Sequence, residues 1–374
     1  MFFGRPALPL SRIVKNRFLR APVLAALAAI CGLSLCQLPR LKADTALALP
    51  TVGAFTGAYI DFGDTEDAVR LPGIEAFEKL VGKHQAIVAS SSYWGRGNFP
   101  TENVRVIREH GAVPLLYWSP WGPPYEQFRK TGKRDPFSLT HIVAGDCDAY
   151  IDTWADAARD CGGPLLVSFA CEMNANWFPW SGATNGGQAG GGPELFKAAW
   201  RHVVERVRAR GATNIAWVFQ ANAASAPKKG WNTMAAYYPG VDWVDWLGLS
   251  VYGQITPGDG DEDWVPWGDA MDKAYREICA LDTTRPVMLA EWGVGEFPRD
   301  GDKAEWLREA FTRFARGDYP RVKAAVFWHE RWQNKDESWS NLRVDSSPAA
   351  LRAYREGVAG GYWLGDLSAP GPNR

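Results

Sequence analysis

Leu165-Leu166-Val167-Ser168-Phe169-Ala170-Cys171-Glu172-Met173-Asn174-Ala175-Asn176-Trp177-Phe178-Pro179-Trp180 is an apolar run that ends in a glutamate set in an aromatic frame. The run has the length and composition of a buried strand, and Glu172 closes it. A carboxyl group in that position loses hydration, so its pKa rises. Pro286-Val287-Met288-Leu289-Ala290-Glu291-Trp292-Gly293 repeats the design, with Glu291 at the end and an indole behind it. Indoles offer flat apolar faces with one polar edge, suited to stacking on sugar rings. Two strand-end carboxyls, each beside tryptophan, point to cleavage of a glycosidic bond, a reaction run by a pair of carboxyl groups.

Working outward, apolar strand-like runs recur at 52–60, 86–94, 113–119, 165–172, 215–221, 244–252, 287–291 and 322–328. The intervals between several of them carry helical spacing. In 194–210, Leu195, Ala198, Ala199, His202, Val203 and Val207 are expected to share a face, and Gly211 ends the helix. Eight β units with interleaved helices predict an α/β fold, a (β/α)8 TIM barrel forming one domain over 50–358. The rival is a doubly wound open sheet, which calls for a Gly-rich phosphate turn after the first strand. None is there. The Gly-rich stretch 186–192 is followed by Pro193 and Glu194 where a phosphate loop needs Lys and Ser or Thr, so it is read as a hinge or lid beside Glu172. The Gly- and Pro-rich tail, 359–374, is expected to be peripheral.

The formal net charge of −1 supplies no bulk field for nucleic acid or an anionic surface. The 19 tryptophans stand out, because that many large amphipathic rings are rarely all needed in a core. A polysaccharide is the expected partner, a monomer the expected state, and no cofactor is implied. The five histidines, His84, His110, His141, His202 and His329, show no metal-ligand spacing, and there is no Cys-x-x-Cys pair. Hence no metal is expected. Cys147 and Cys161 flank one predicted helix and are the candidate disulfide.

Residues 1–48 read as a targeting segment. Arg5, Arg12, Lys15, Arg17 and Arg20 make a basic start, 21–38 carry no charge, and Ala46-Leu47-Ala48 has the small-x-small form of a cleavage site. A cleaved export signal is expected, giving a secreted or periplasmic protein. The alternative is an uncleaved amino-terminal anchor, the one route by which this chain would meet a membrane.

Three motifs carry a resemblance. They are Glu172-Met173-Asn174 with Asn176-Trp177, then Tyr237-Tyr238-Pro239-Gly240 with Val244-Asp245-Trp246-Leu247-Gly248-Leu249 and Tyr252, then the stretch around Glu291. Over roughly 50–345 the chain resembles glycoside hydrolase family 26, the β-mannanase family, within the retaining clan that carries its two glutamates on barrel strands four and seven. The resemblance implies that Glu172 is the general acid/base, that Glu291 is the nucleophile, and that Tyr252 hydrogen-bonds the nucleophile. One position departs: the family has a histidine immediately before the acid/base, and this chain has Cys171. A thiol is a weak donor and acceptor beside an imidazole, so contacts at the cleavage point differ.

Candidate sugar contacts are Trp177, Trp328, Trp118, Trp292, Cys171 and Asn174 together with Tyr252. Tyr93, Trp94, Tyr117, Trp121 and Trp180 are further aromatic platforms, and Asp61, His329 and Glu330 further polar contacts. Asp242 and Asp245, at the start of the sixth strand, are read as structural. β-1,3/1,4-Glucan and β-xylan remain open beside mannan as substrates. A non-hydrolytic polysaccharide-binding barrel is the reading from another class.

Overall fold

In the computed structural model, which describes residues 47–62, 68–122, 135–258 and 264–367, each of the eight apolar runs forms a strand. They are β1 (Ala54–Ile60), β2 (Ile87–Tyr93), β3 (Val113–Ser119), β4 (Leu165–Phe169), β5 (Ile215–Asn222), β6 (Trp246–Tyr252), β7 (Val287–Gly293) and β8 (Val322–His329). They pair in parallel in chain order, and β8 returns to pair with β1 from Phe55↔Ala324 to Ile60↔His329. That last pairing closes the sheet into the expected (β/α)8 barrel and excludes the open doubly wound sheet.

Helices α1 (Leu71–Val81), α2 (Thr101–Glu109), α3 (Leu139–Ala144), α4 (Asp148–Asp160) and α5 (Gly192–Ala209) lie along the first half. The second half carries α6 (Met234–Tyr237), α7 (Trp267–Cys279), α8 (Lys303–Arg316) and α9 (Pro348–Ala359). The buried stripe of α5 is Phe196, Ala199, Trp200, Val203, Val204 and Val207. It is rotated from the expected face, because the aromatic pair Phe196 and Trp200 packs best inward. His202 is left half-exposed, 2.6 Å from Asp148.

Strand parity sorts the side chains into two sets. Phe55, Tyr59, Leu115, Tyr117, Leu166, Val218, Trp246, Met288 and Val326 fill the barrel interior. Their neighbours along the strands, among them Leu116, Trp118, Val167, Phe169, Trp217, Phe219, Leu249 and Phe327, join the layer under the helices. Trp118 stacks on Trp154 of α4 with ring centroids 3.9 Å apart. At about 25 cal/mol per Å² and roughly 200 Å² per indole, each buried tryptophan of this layer contributes on the order of 5 kcal/mol relative to exposure. Much of the tryptophan excess is therefore core after all.

Three expectations are corrected here. Cys147, Cys161, Cys171 and Cys279 are all free. Cys147 and Cys161 stand at opposite ends of α4, whose 13 residues span about 20 Å, whereas a disulfide needs Cα atoms within about 7 Å. The stretch 186–192 is no slack hinge. Gly187 N donates to Gly182 O (2.9 Å), Gly190 N to Gly186 O (2.9 Å) and Gly192 N to Gly187 O (2.8 Å), a wound turn that leads into α5. The chain after α9 is not wholly peripheral, because β11 (Trp363–Leu364) pairs with the start of β1 and buries Trp363. A short hairpin, β9 (Arg331–Gln333) and β10 (Trp339–Asn341), follows β8. The targeting segment lies outside the described residues except for 47 and 48, as do 368–374 of the tail. Among the described residues no helix is long and apolar enough to cross a membrane.

Candidate active site

β4 stops at Phe169, three residues before Glu172, so the carboxyl stands just past the strand rather than on it. The chain there turns through two left-handed residues, Ala170 (φ 46°) and Glu172 (φ 56°). Such backbone costs about 1–2 kcal/mol per non-glycine residue and persists only where its surroundings hold it. Ala170 N donates to Trp118 O (3.1 Å) and Glu172 N to Gln220 O (2.8 Å), which ties the turn to both neighbouring strands. Trp180 Nε1 donates to Cys171 O (2.6 Å) and clamps it from behind. The turn aims Glu172 into the mouth. Its carboxylate accepts from Trp177 Nε1 (2.9 Å) and Asn222 Nδ2 (2.9 Å), and from the Ser250 hydroxyl.

Glu291 reaches the mouth by a different device. The β6–β7 register jumps from Leu249↔Leu289 to Ser250↔Glu291, a bulge with Ala290 as the extra residue. Ala290 and Glu291 therefore both point inward, where strict alternation would turn one of them out. Tyr117 Oη donates to Ala290 O (2.7 Å) and fixes the bulge from across the barrel. Glu291 Oε1 accepts from Gln220 Nε2 (2.8 Å), and Oε2 from Tyr252 Oη (2.8 Å), the partner that the resemblance implies.

Gln220 and Ser250 together link the two carboxyl groups. Gln220 Oε1 accepts from Ser168 Oγ (2.7 Å), which orients the amide, and its Nε2 donates to Ser250 Oγ (2.8 Å) as well as to Glu291. Both amide hydrogens and the carbonyl are thus committed. Glu172 and Glu291 are 6% and 9% exposed, and burial raises both pKa values. Glu291 is pushed up to about 8 by burial first and by the charge of Glu172 second. Two buried carboxyl groups that repel one another hold one proton between them across the neutral range, and that proton belongs to the pair.

Around the pair lie residues foreseen in the sequence. Trp177 remains 43% exposed beside Glu172. Trp328 stacks on Tyr59 (centroids 3.9 Å apart, planes 7° apart), and its Nε1 donates to Glu330 Oε2 (2.7 Å). The buried Cys171 thiol is pushed well up by burial and by both glutamates, so it stays protonated. It belongs to the floor of the site.

Other candidates are corrected. Trp118 and Trp292 are fully buried on the outside of the barrel, where no sugar reaches them. Trp118 donates to Tyr150 Oη (2.9 Å), and Trp292 packs edge-on against Trp267 and Phe327. Trp94 shares that layer, and Trp180 is sealed behind Cys171. Asn174 is wholly buried and acts one step back. Its side chain bonds Asn222 through Nδ2 to O (2.8 Å) and through Oδ1 to N (2.9 Å), positioning the residue that holds Glu172. His329 is turned out against Phe77, and its Nδ1 accepts from Val344 N (3.0 Å). Asp245 accepts from Trp217 N (2.9 Å) and is structural, as expected. Gln220, Asn222, Ser250 and Ser168 were not singled out from the sequence. Their signal was polarity at inward positions of otherwise apolar strands.

Residues 133–288 match the family model for glycosyl hydrolase family 26, a span that includes Glu172 and stops three residues short of Glu291. The chain is a relative of that family. The protein described as endoglucanase H of Acetivibrio thermocellus is 28% identical over 310 residues, covering 83% of this chain and 31% of that protein. Mannan endo-1,4-β-mannosidase of Bacillus subtilis is 24% identical over 293 residues, covering 75% of this chain and 67% of that one. This family 26 relative thus spans about a third of the length of the endoglucanase. Among solved structures, the catalytic domain of the family 26 endo-β-1,4-mannanase of Bacillus sp. JAMB-750 superposes with a TM-score of 0.62 at 17% identity, covering 86% of this chain and 89% of that one, a likeness of fold.

Proposed function

We propose that this barrel is a retaining endo-β-glycanase, exported to act on a polysaccharide, with β-1,4-mannan or a mannose-containing polysaccharide as its substrate. The observation that carries the reading is the buried pair Glu172 and Glu291, linked through Gln220 and Ser250 at the carboxyl ends of the strands, where barrels of this type place their chemistry. In the first step Glu291 attacks the anomeric carbon while Glu172 protonates the departing oxygen. Positive charge developing on the sugar favours the Glu291 anion, so the shared proton goes to Glu172 as the substrate binds. In the second step Glu172, now ionised, takes a proton from a water as that water's oxygen attacks the anomeric carbon, the bond to Glu291 breaks, and the sugar leaves with its configuration retained. Tyr252 and Gln220 hold Glu291 on line for attack. Trp177 offers a stacking face beside the acid, and Trp328 offers one across the mouth.

Mannan leads because of the family motifs and the mannosidase relative, and glucan follows because of the endoglucanase relative. The basic amino-terminal segment with its small-x-small site supports export. Reducing-sugar release from β-mannan, β-1,3/1,4-glucan and β-xylan tests the reading. We expect soluble oligosaccharides from mannan first. Release from another polymer alone would move the substrate, and binding without release from any would make this a polysaccharide-binding barrel.

A further inference from the structure

Two of the five histidines meet one glutamate at the end of the barrel opposite to Glu172 and Glu291. Glu78 lies in the last turn of α1, His84 in the turn before β2, and His110 just past α2, before β3. His84 Nδ1 is 2.7 Å and His110 Nε2 2.9 Å from the same oxygen, Glu78 Oε1. The three ligand atoms all lie within 4.8 Å of one another, and the two rings are 4.7 Å apart. Gln85 N also donates to Glu78 Oε1 (2.8 Å) and fixes the carboxylate. Asp366 Oδ1 stands 3.9 Å from His84 Nε2, on the side that is open to solvent.

We propose that Glu78, His84 and His110 form a structural site for a divalent transition metal of the zinc class, closed by water. Two imidazoles and a carboxylate are a donor set suited to that class and poorly suited to magnesium or calcium, which take oxygen ligands. Zinc with arms of about 2.0–2.2 Å holds tetrahedral donors roughly 3.3 Å apart, so each histidine contact opens by about half an ångström as the metal enters. Each imidazole binds as the neutral tautomer, with the nitrogen that faces Glu78 giving its lone pair to the metal and the ring's one N–H carried on the other nitrogen. His84 then turns its remaining N–H toward Asp366, and the Gln85 amide steadies Glu78, the outer support that metal ligands commonly have. Because the ligands come from three segments, the metal staples α1 to the turns that lead into β2 and β3. It serves the base of the barrel and takes no part in the chemistry at the mouth.

The test uses the full chain, stripped with chelator and titrated with zinc chloride by calorimetry. We expect one zinc per chain and a rise in Tm of about a few degrees at saturation. Cobalt(II) at one equivalent should give the intense visible bands of a tetrahedral site. His84→Ala with His110→Ala should weaken zinc binding at least tenfold and abolish the Tm rise, while polysaccharide release stays unchanged. If the double variant does not fold, Glu78→Gln serves with the same expectation. No zinc bound at one equivalent, or zinc bound equally well by the variants, would overturn the site.

Discussion

Glu291→Ala is expected to lower turnover of the polysaccharide by roughly 10⁴-fold or more while leaving its binding within a few-fold. The carboxylate is the only group in the proposed mechanism that bonds to carbon, and its partners substitute poorly, because Gln220 is a neutral amide and burial keeps the Tyr252 hydroxyl protonated. The cavity left behind admits a small anion, so azide should restore turnover of an activated aryl glycoside and leave a glycosyl azide. A decrease of less than tenfold would remove Glu291 from the reaction.

Stability supplies a second readout for this position. The Glu291 carboxyl is held at about 8, above the ordinary glutamate value of 4.5. Between those values the folded chain keeps a proton that the unfolded chain has lost, so this group's contribution to stability falls as pH rises through about 8. Glu291→Gln removes that dependence and keeps an acceptor oxygen for Gln220, while its amide NH2 donates to the Tyr252 hydroxyl oxygen. Its Tm relative to the wild type should therefore climb from pH 5 to pH 9, even though it is inactive. A flat difference would mean that Glu291 is not held protonated by its surroundings.

Glu172→Ala should give a different pattern, because a proton donor matters only when the leaving group needs one. Polysaccharide turnover should fall by about 10³-fold or more. An aryl glycoside with a strongly acidic phenol leaves without help, so its first step should survive. The second step, which lacks its base, becomes limiting, and a burst of phenol followed by a slow steady state is the expected trace. Equal losses on both substrates would mean that Glu172 acts as a structural partner of Trp177 and Asn222.

The barrel was legible because eight apolar runs are separated by amphipathic segments, and both glutamates were legible because each ends such a run. What failed was parity. Trp118 adjoins the inward Tyr117, and a step of one residue along a strand changes the face. Trp292 follows Glu291, and its outward position depends on the bulge at Ala290, which spacing alone does not announce. The apolar run continues to Glu172 while β4 ends at Phe169, because the left-handed residues Ala170 and Glu172 carry no glycine to mark the turn. Asn174 sits in the motif beside Glu172, which points to a sugar contact, while its burial and its bonds assign it to Asn222. Gln220 and Ser250 are single polar residues at inward positions of apolar strands, a signal that becomes readable once the strand faces are known. The Glu78, His84 and His110 cluster had no local pattern, since one helix end and two turns bring its members together.

The central claim is a double displacement between Glu291 and Glu172, and the stereochemistry of the first product tests it most directly. Proton NMR on freshly cleaved β-linked oligosaccharide, recorded before mutarotation, should show the β-anomeric signal appearing first and the α-signal growing later. An α-anomer formed first would mean a single displacement by water, and would contradict the roles assigned here to both glutamates.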